Sequence, residues 1–493
     1  MSRGPDHPNH WELEGQNGEP EIRDPEFDPD WRTVVAQAPA SEEERALFPQ
    51  TRAIELCLPN AFDPADAPRL IWQVRRAGFN TVLLNCFSGG YTAFDSTTMR
   101  AWEFPAQDPR FADRDPVAPL LAAAHAERIT VYALVECLRV GSESGKRGPI
   151  LRRRSEWAAH GRDRSARGAG SRFLCPANRH VWRFLGDLLY EILEHYPFQG
   201  LYLRDLHYPL EPPDCRADYC RCDYCRSAVW HSLGVKIHEI PDDPDHPDRY
   251  NLTSWRSKQL AALLHYLRLR VGKVCAPSLT LAEVYLGEEG EQAHPESSGY
   301  VDAGSWTKEH LVPIAALRPL PAMTAISEQW IERVAMLTES ALVMPVLSAE
   351  PDGLFLETLD RLSVLPIAGV VVREPYDLAA PPLNRLATGP WRERTQVTEE
   401  RPLLAVCALL SATIRLLPAD SPLSAFLSDV LRVVQPLGER WPPQQCETLY
   451  ENLLGLEERI ADEKMNLGEP APAVVRNFRL ARQLLRMVEL EGS

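Results

Sequence analysis

A (β/α)8 barrel of the TIM type followed by an all-helical appendage is the fold class this sequence predicts, and three observations predict it. Eight short apolar runs recur between residues 51 and 395, most of them separated by stretches with helical spacing. Single units of this architecture use about 250 to 400 residues, so a chain of 493 has room for one barrel and its appendages. No GxGxxG or GxxxxGK turn follows the first runs, as a doubly wound sheet with a nucleotide site would require.

Composition narrows the function classes. The hydrophobic share of 44% is that of a globular protein, and no stretch reaches the roughly 20 apolar residues of a membrane span. A formal charge of -16 disfavours nucleic acid and anionic membranes, whose phosphates need concentrated Lys and Arg. The opening residues lack the apolar core of a secretory signal, and seven of the 11 cysteines are scattered singly, several inside apolar runs. Both features lead us to expect a reducing, cytoplasmic setting.

Residues 1–50 are polar and rich in Pro, Gly and acids, and are expected to form a poorly ordered arm. The barrel is expected over 51–395. Its first strand is Arg52 to Phe62, and Ala65 to Gly78 is an amphipathic helix with a glycine stop. Strand two is Thr81 to Asn85, ended by Gly89 and Gly90; Asp115 caps a helix that runs to Arg128, and Thr130 to Leu138 is strand three. Gly141 to Arg172 carries nine Lys or Arg against three acids, which suits a solvated lid. Helix three is Asn178 to Tyr196, and strand four opens at Phe198. A helix over Thr253 to Val271 leads to strand five at Lys273 to Leu281, and strand six is placed at Val312 to Leu317. Helix Ser327 to Leu337, strand Ala341 to Leu347, helix Leu354 to Val364 and strand Gly369 to Arg373 complete the set. From 396 to 493 only helical spacing remains, in Leu403 to Leu417, Leu423 to Val434, Cys446 to Glu463 and Ala473 to Val488. Those Leu-rich faces suit core packing, self-association or a protein partner.

In such a barrel the reactive groups sit where strands end. Acids at those ends are Glu136, Asp205, Glu283, Glu350, Asp352 and Glu374. Like charges at close range push each other's pKa values apart, so one carboxyl stays protonated while another stays ionised, as glycoside hydrolysis requires. Asp205 stands out because FQGLYLRDLHYP ends an apolar strand in Arg204, Asp205, His207 and Tyr208. Regular alternation puts Asp205 and His207 on one face and Arg204 and Tyr208 on the other. Phe87, Tyr91, Tyr208, Trp330 and Tyr376 are candidate stacking platforms for sugar rings. Further along, in the loop 213–226, Cys215, Cys220, Cys222 and Cys225 form CxxxxCxCxxC, enough thiolates for a closed structural zinc site.

GFNTVLLNCFSGGYTAFDS, DPVAPLLAAAHAERITVYALVECLRVG, CPANRHVW and GLYLRDLHYP together resemble the family-10-like glycoside hydrolases, over roughly residues 50 to 380. The resemblance implies a barrel distantly similar to the α-amylase group and a carbohydrate substrate. It also implies a nucleophile from strand four, an acid from strand five and a third acid from strand seven: Asp205, Glu283, and Glu350 or Asp352. Glu136 is the reserve acid, and Tyr91, Arg204, His207, Tyr208, Trp330, Glu374 and Tyr376 are expected around the substrate. Many members carry two adjacent acids in a DDYxYP pattern; here the first is Arg204. That departure favours a second class of reading, a catalytically inactive barrel that binds carbohydrate or a protein partner.

Overall fold

The computed structural model describes residues 48–492 except 59–61, 113, 142–146, 162–171, 211–217, 242, 244, 276–279, 288–298, 321–325, 349–353, 374–380, 394, 463–464, 466 and 469, with backbone alone at 354, 381–384 and 489–492. Eight parallel strands form the centre: β1 Thr51–Leu56, β2 Thr81–Ser88, β3 Thr130–Glu136, β4 Gly200–Arg204, β5 Thr280–Leu286, β6 Ile314–Pro319, β7 Leu342–Ser348 and β8 Gly369–Arg373. Each pairs with the next, and β8 pairs back onto β1, so the sheet closes into a barrel and no barrel strand is left with an open edge. Outside it lie α1 Ala67–Arg76, α2 Val117–Ala126, α3 Arg179–His195, α4 Asp223–Leu233, α5 Pro247–Val271, α6 Glu328–Leu337 and α7 Leu354–Ser363.

The expected cap at Asp115 is present, and two further helices are capped at their first expected residue. Asp115 accepts the Val117 N–H at the head of α2, Asn178 accepts the His180 N–H at α3, and Ser327 accepts the Trp330 N–H at α6. Strand five is a correction: it spans Thr280–Leu286, so Glu283 lies within the strand rather than beyond it. A single acid interrupts that apolar run, whereas the earlier KVCAPSLTL carries no acid. The basic excursion is a second correction. Its described part contains a short helix, Pro149–Arg153, and buries Ile150, Leu151 and Trp157. Trp157 packs edge-on against Trp102 and Phe104, while Arg153 and Arg154 face outward to Glu103.

Four helices follow the barrel: α8 Pro402–Leu416, α9 Pro422–Val434, α10 Pro443–Ala461 and α11 Ala471–Gly492. Their apolar residues Leu403, Val406, Leu410, Phe478 and Leu484 share one cluster with the barrel's inward-facing Leu83, Tyr132, Tyr202, Leu281 and Met344. The barrel interior and the helical core are therefore continuous through the N-terminal ends of the strands. Residues 398–400 form that floor. Thr398 donates through Oγ1 to the Ala368 carbonyl, the Thr51 hydroxyl donates to Glu399 Oε2 at 2.6 Å, and the Tyr132 hydroxyl donates to Glu399 Oε1 at 3.1 Å. The last residues of the expected arm are ordered, because Phe48–Pro49 pair in parallel with Thr395–Gln396. No helix among the described residues is long and apolar enough to cross a membrane.

Burial pushes the Glu399 carboxyl up to about 7, against the Thr51 and Tyr132 hydroxyls that hold its ionised form. The folded state thus keeps this proton more tightly than the unfolded chain. Its contribution is complete below the ordinary value of 4.5 and is lost as the pH rises to about 7. We predict that urea unfolding titrated across this window will show a decline of roughly 3 kcal/mol. Glu399→Gln should remove that segment of the pH profile.

Candidate active site and thiol cluster

Strand β4 keeps regular alternation to its last residue, so Tyr202 and Arg204 both point into the barrel. Asp205 then takes φ +54, a left-handed conformation uncommon for an aspartate. This turn brings two successive residues to one mouth, where strict alternation separates them. Arg204 is 2% exposed and reaches across the axis, with Nη1 donating to Glu55 Oε2 at 2.8 Å and Nη2 to Glu136 Oε1 at 3.0 Å.

Arg139, just past β3, joins the two acids of interest. Its Nε donates to Asp205 Oδ2 and its Nη2 to Glu136 Oε1, each at 2.9 Å. Glu136 Oε2 accepts from the Ser88 hydroxyl at 2.9 Å and the Gly89 N–H at 3.2 Å. On the other side, His207 Nε2 stands 3.5 Å from Asp205 Oδ1, and its Nδ1 lies 2.7 Å from the Tyr208 carbonyl, so both ring nitrogens face acceptors. Glu283 belongs to a separate pair: Arg318 Nη1 donates to its Oε1 at 2.9 Å and the Tyr202 hydroxyl to its Oε2 at 3.1 Å. Arg373 lies 3.6 Å from Glu55. Four carboxylates thus meet four guanidiniums, Arg139, Arg204, Arg318 and Arg373.

Such pairing is what buried charge demands. It also divides the acids. Burial raises the Asp205 carboxyl, but the hydrogen bond from His207 and the charges of Arg139 and Arg204 outweigh it and hold Asp205 well below the ordinary carboxylate range. For Glu136, burial and the neighbouring Asp205 charge push the carboxyl upward, opposed by Arg204, Arg139 and the Ser88 hydroxyl. Two carboxyls drawn in opposite directions on a shared guanidinium are an arrangement suited to acid/base chemistry.

The other expected site residues scatter. Trp330 is fully buried with its indole N–H on the Leu286 carbonyl, and Phe87 packs edge-on against Phe184; both are core rather than platforms at the mouth. Tyr208 is buried edge-on against Tyr300, away from solvent. Tyr91 lies half-buried beside a cavity at the ends of β1 and β2. Glu350, Asp352, Glu374 and Tyr376 lie outside the described residues. Sequence reasoning passed over Glu55, Arg139, Arg318 and Arg373; a lone acid inside the apolar AIELCL was the available sign for Glu55.

The thiol cluster includes a cysteine from outside the expected loop. Cys175, Cys220, Cys222 and Cys225 are all buried, with their sulfurs within 4.8 Å of one another. Cys215 lies outside the described residues, among which four thiols meet. Cys175 comes from the turn that opens α3, so the cluster ties the segment before β4 to the loop after it. Its sulfur is 3.4 Å from that of Cys225 and 3.6 Å from that of Cys222, too long for disulfides and near the roughly 3.8 Å edge of a tetrahedron with 2.3 Å metal–sulfur bonds. The His160 N–H donates to Cys220 Sγ and the Cys225 N–H to Cys222 Sγ, which orients both sulfurs. Beside them Asp218 receives Arg221, Arg249 and Arg256, and Arg256 Nη2 reaches the Cys220 carbonyl at 3.5 Å. The donor set fits a soft or borderline divalent ion in a closed four-ligand site.

No protein-family model matches the chain, and no curated protein sequence matches it. Among solved structures, the catalytic domain of β-amylase from Paenibacillus polymyxa is similar with TM-score 0.47 at 12% identity, over 66% of this chain and 93% of that one. β-Galactosidase from Bacillus circulans sp. alkalophilus gives TM-score 0.46 at 12% identity, over 81% of this chain and 57% of that one. The GH20 exo-β-N-acetylglucosaminidase from Vibrio harveyi gives TM-score 0.41 at 13% identity, over 78% and 58%. The chain therefore spans little more than half the length of the latter two. Its barrel is established by its own strand pairing.

The axial arginine yields a direct test. Arg204→Ala leaves Glu55 and Glu136 buried with part of their compensation removed, and should cost about 3–5 kcal/mol at neutral pH in urea unfolding. The loss should shrink in acid, where the stranded carboxyls can take up protons.

Proposed function

We propose that this barrel is a family-10-like glycoside hydrolase acting on an oligo- or polysaccharide at the C-terminal ends of its strands. Asp205 serves as the ionised nucleophile or base and Glu136 as the acid that protonates the departing glycosidic oxygen. The observation that carries the reading is the shared guanidinium of Arg139, which hydrogen-bonds both carboxyls while their protonation is drawn in opposite directions. Glu283, expected first as the acid, is held by Arg318 and Tyr202 and takes the place of a supporting charge. The motif resemblance through GLYLRDLHYP supplies the substrate class.

A second reading is favoured by Arg204 itself. It occupies the position of the family's first acid and compensates Glu55 and Glu136 from within the barrel, as in a site that binds carbohydrate without cleaving it. The two readings separate on a panel of glycans. The hydrolase reading expects release of reducing sugar, lowered about 10²–10⁴-fold by Asp205→Asn with the thermal midpoint retained. Binding without release of sugar would select the second reading, and turnover unchanged in Asp205→Asn would remove the assignment of that residue.

Zinc is the ion proposed for Cys175, Cys220, Cys222 and Cys225, in a structural role, since four protein ligands leave no open position for chemistry. Metal analysis of the purified protein should find about one zinc per chain. Cys175→Ser should abolish it and Cys215→Ser should leave it; the reverse pattern would restore Cys215 to the ligand set.

A further inference from the structure

The apolar surface that the fold leaves uncovered gathers on one helix. Ten large hydrophobic side chains are exposed among the described residues, and four of them, Leu416, Phe426, Val433 and Leu437, fall between 416 and 437. Helix α9 packs on α8 and buries Leu423, Leu427 and Val434 in the helical core. Phe426 and Val433 lie about a quarter turn from that buried face, 37% and 59% exposed. Half-buried Val430 stands between them, and the 3-10 turn Gln435–Leu437 carries the line on to Leu437. Positions 426, 430, 433 and 437 have the spacing of a seam between two paired helices.

Two features of the seam specify what covers it. Its intervals are four, three and four residues, so it reads the same in either direction. An antiparallel copy of α9, related by a two-fold axis that passes between Leu431 and Arg432, sets Phe426 against Leu437 of the partner subunit and Val430 against Val433 of the partner subunit. The charges agree with that pairing. Segment 422–437 holds one acid and one base, Asp429 and Arg432, on opposite sides of the midpoint. Their side chains are exposed and sit on the flank of the seam that faces away from the core. Under the two-fold, Asp429 lies about 3 Å along the axis from Arg432 of the partner subunit, and the contact is made twice.

We propose that this chain forms a two-fold homodimer through an antiparallel pairing of α9. The 13 residues of α9 and the 3 of the following turn span about 24 Å. A single helix pair of that length stands at the low end of the roughly 1,200–2,000 Å² that stable complexes bury, so the dimer is reversible, with micromolar affinity. The helical layer lies at the N-terminal ends of the barrel strands, opposite the acids, and dimerisation is tested without reference to catalysis.

Sedimentation velocity of the full chain from about 1 to 200 µM should show a concentration-dependent passage from monomer to dimer. Val433→Glu changes an exposed residue beside the two-fold axis; it should raise the dissociation constant about tenfold or more while the thermal midpoint is retained. Asp429→Arg and Arg432→Asp should each weaken self-association about tenfold, because each sets like charges opposite one another at two places. An equimolar mixture of these two variants should dimerise again, since each supplies the charge that the other lacks. A chain that stays monomeric at the highest concentration overturns the proposal, as does a dimer that Val433→Glu leaves intact. A mixture as weak as its separate components overturns the antiparallel pairing.

Discussion

The guanidinium of Arg204 is the contact on which the mouth of this barrel depends. It is buried at the axis between β1 and β3 and satisfies Glu55 and Glu136 together. Two carboxylates facing each other in a low-dielectric interior repel and lose hydration; a planar cation between them answers both problems with directional bonds. Once it is in place, Asp205 cannot use the same inward direction. The left-handed turn at Asp205 takes the next carboxylate to Arg139 and His207 instead. The strand-four motif therefore works as a pair of opposite charges, one directed down the axis and one turned aside.

The two ends of the barrel are finished by different physics. At the N-terminal end, tyrosines and aliphatic side chains run without a break into the C-terminal helices, and Glu399 is the polar plug, held by hydroxyls. At the C-terminal end, charges balance in pairs beneath partly exposed arginines. The helices give the interior an apolar continuation on one side, which leaves the other side as the place where polar groups collect. Apolar packing and paired charge are segregated along one axis.

Much of this was legible in the sequence. Parallel strands buried on both faces read as apolar runs, and Gly369 to Arg373 matches its strand residue for residue. The cap at Asp115 is a local signal, independent of tertiary context. Failures came where a buried charge interrupts a strand. Glu283 was placed outside β5 because its partner Arg318 lies 35 residues away, and no local pattern announces that compensation. Cys175 was missed for a related reason. It stands 50 residues from Cys225, and spacing rules find ligands that are neighbours in the chain. Trp330 looked like a platform because an aromatic residue does not disclose from sequence which side of a helix the barrel will cover.

The distance along the chain between Cys175 and Cys225 has a mechanical consequence. With a metal on these thiols, the segment that includes α3, β4, Arg204, Asp205 and His207 becomes a closed ring of 50 residues. Closing such a ring removes conformations from the unfolded chain while leaving the native strand undisturbed. The strand that carries the paired charges is thus a tethered loop, whose ends are fixed outside the barrel while its middle is threaded through the sheet. Occupancy of the thiols would then bear on how firmly the chain holds that strand in register, through an ion that never touches the paired charges.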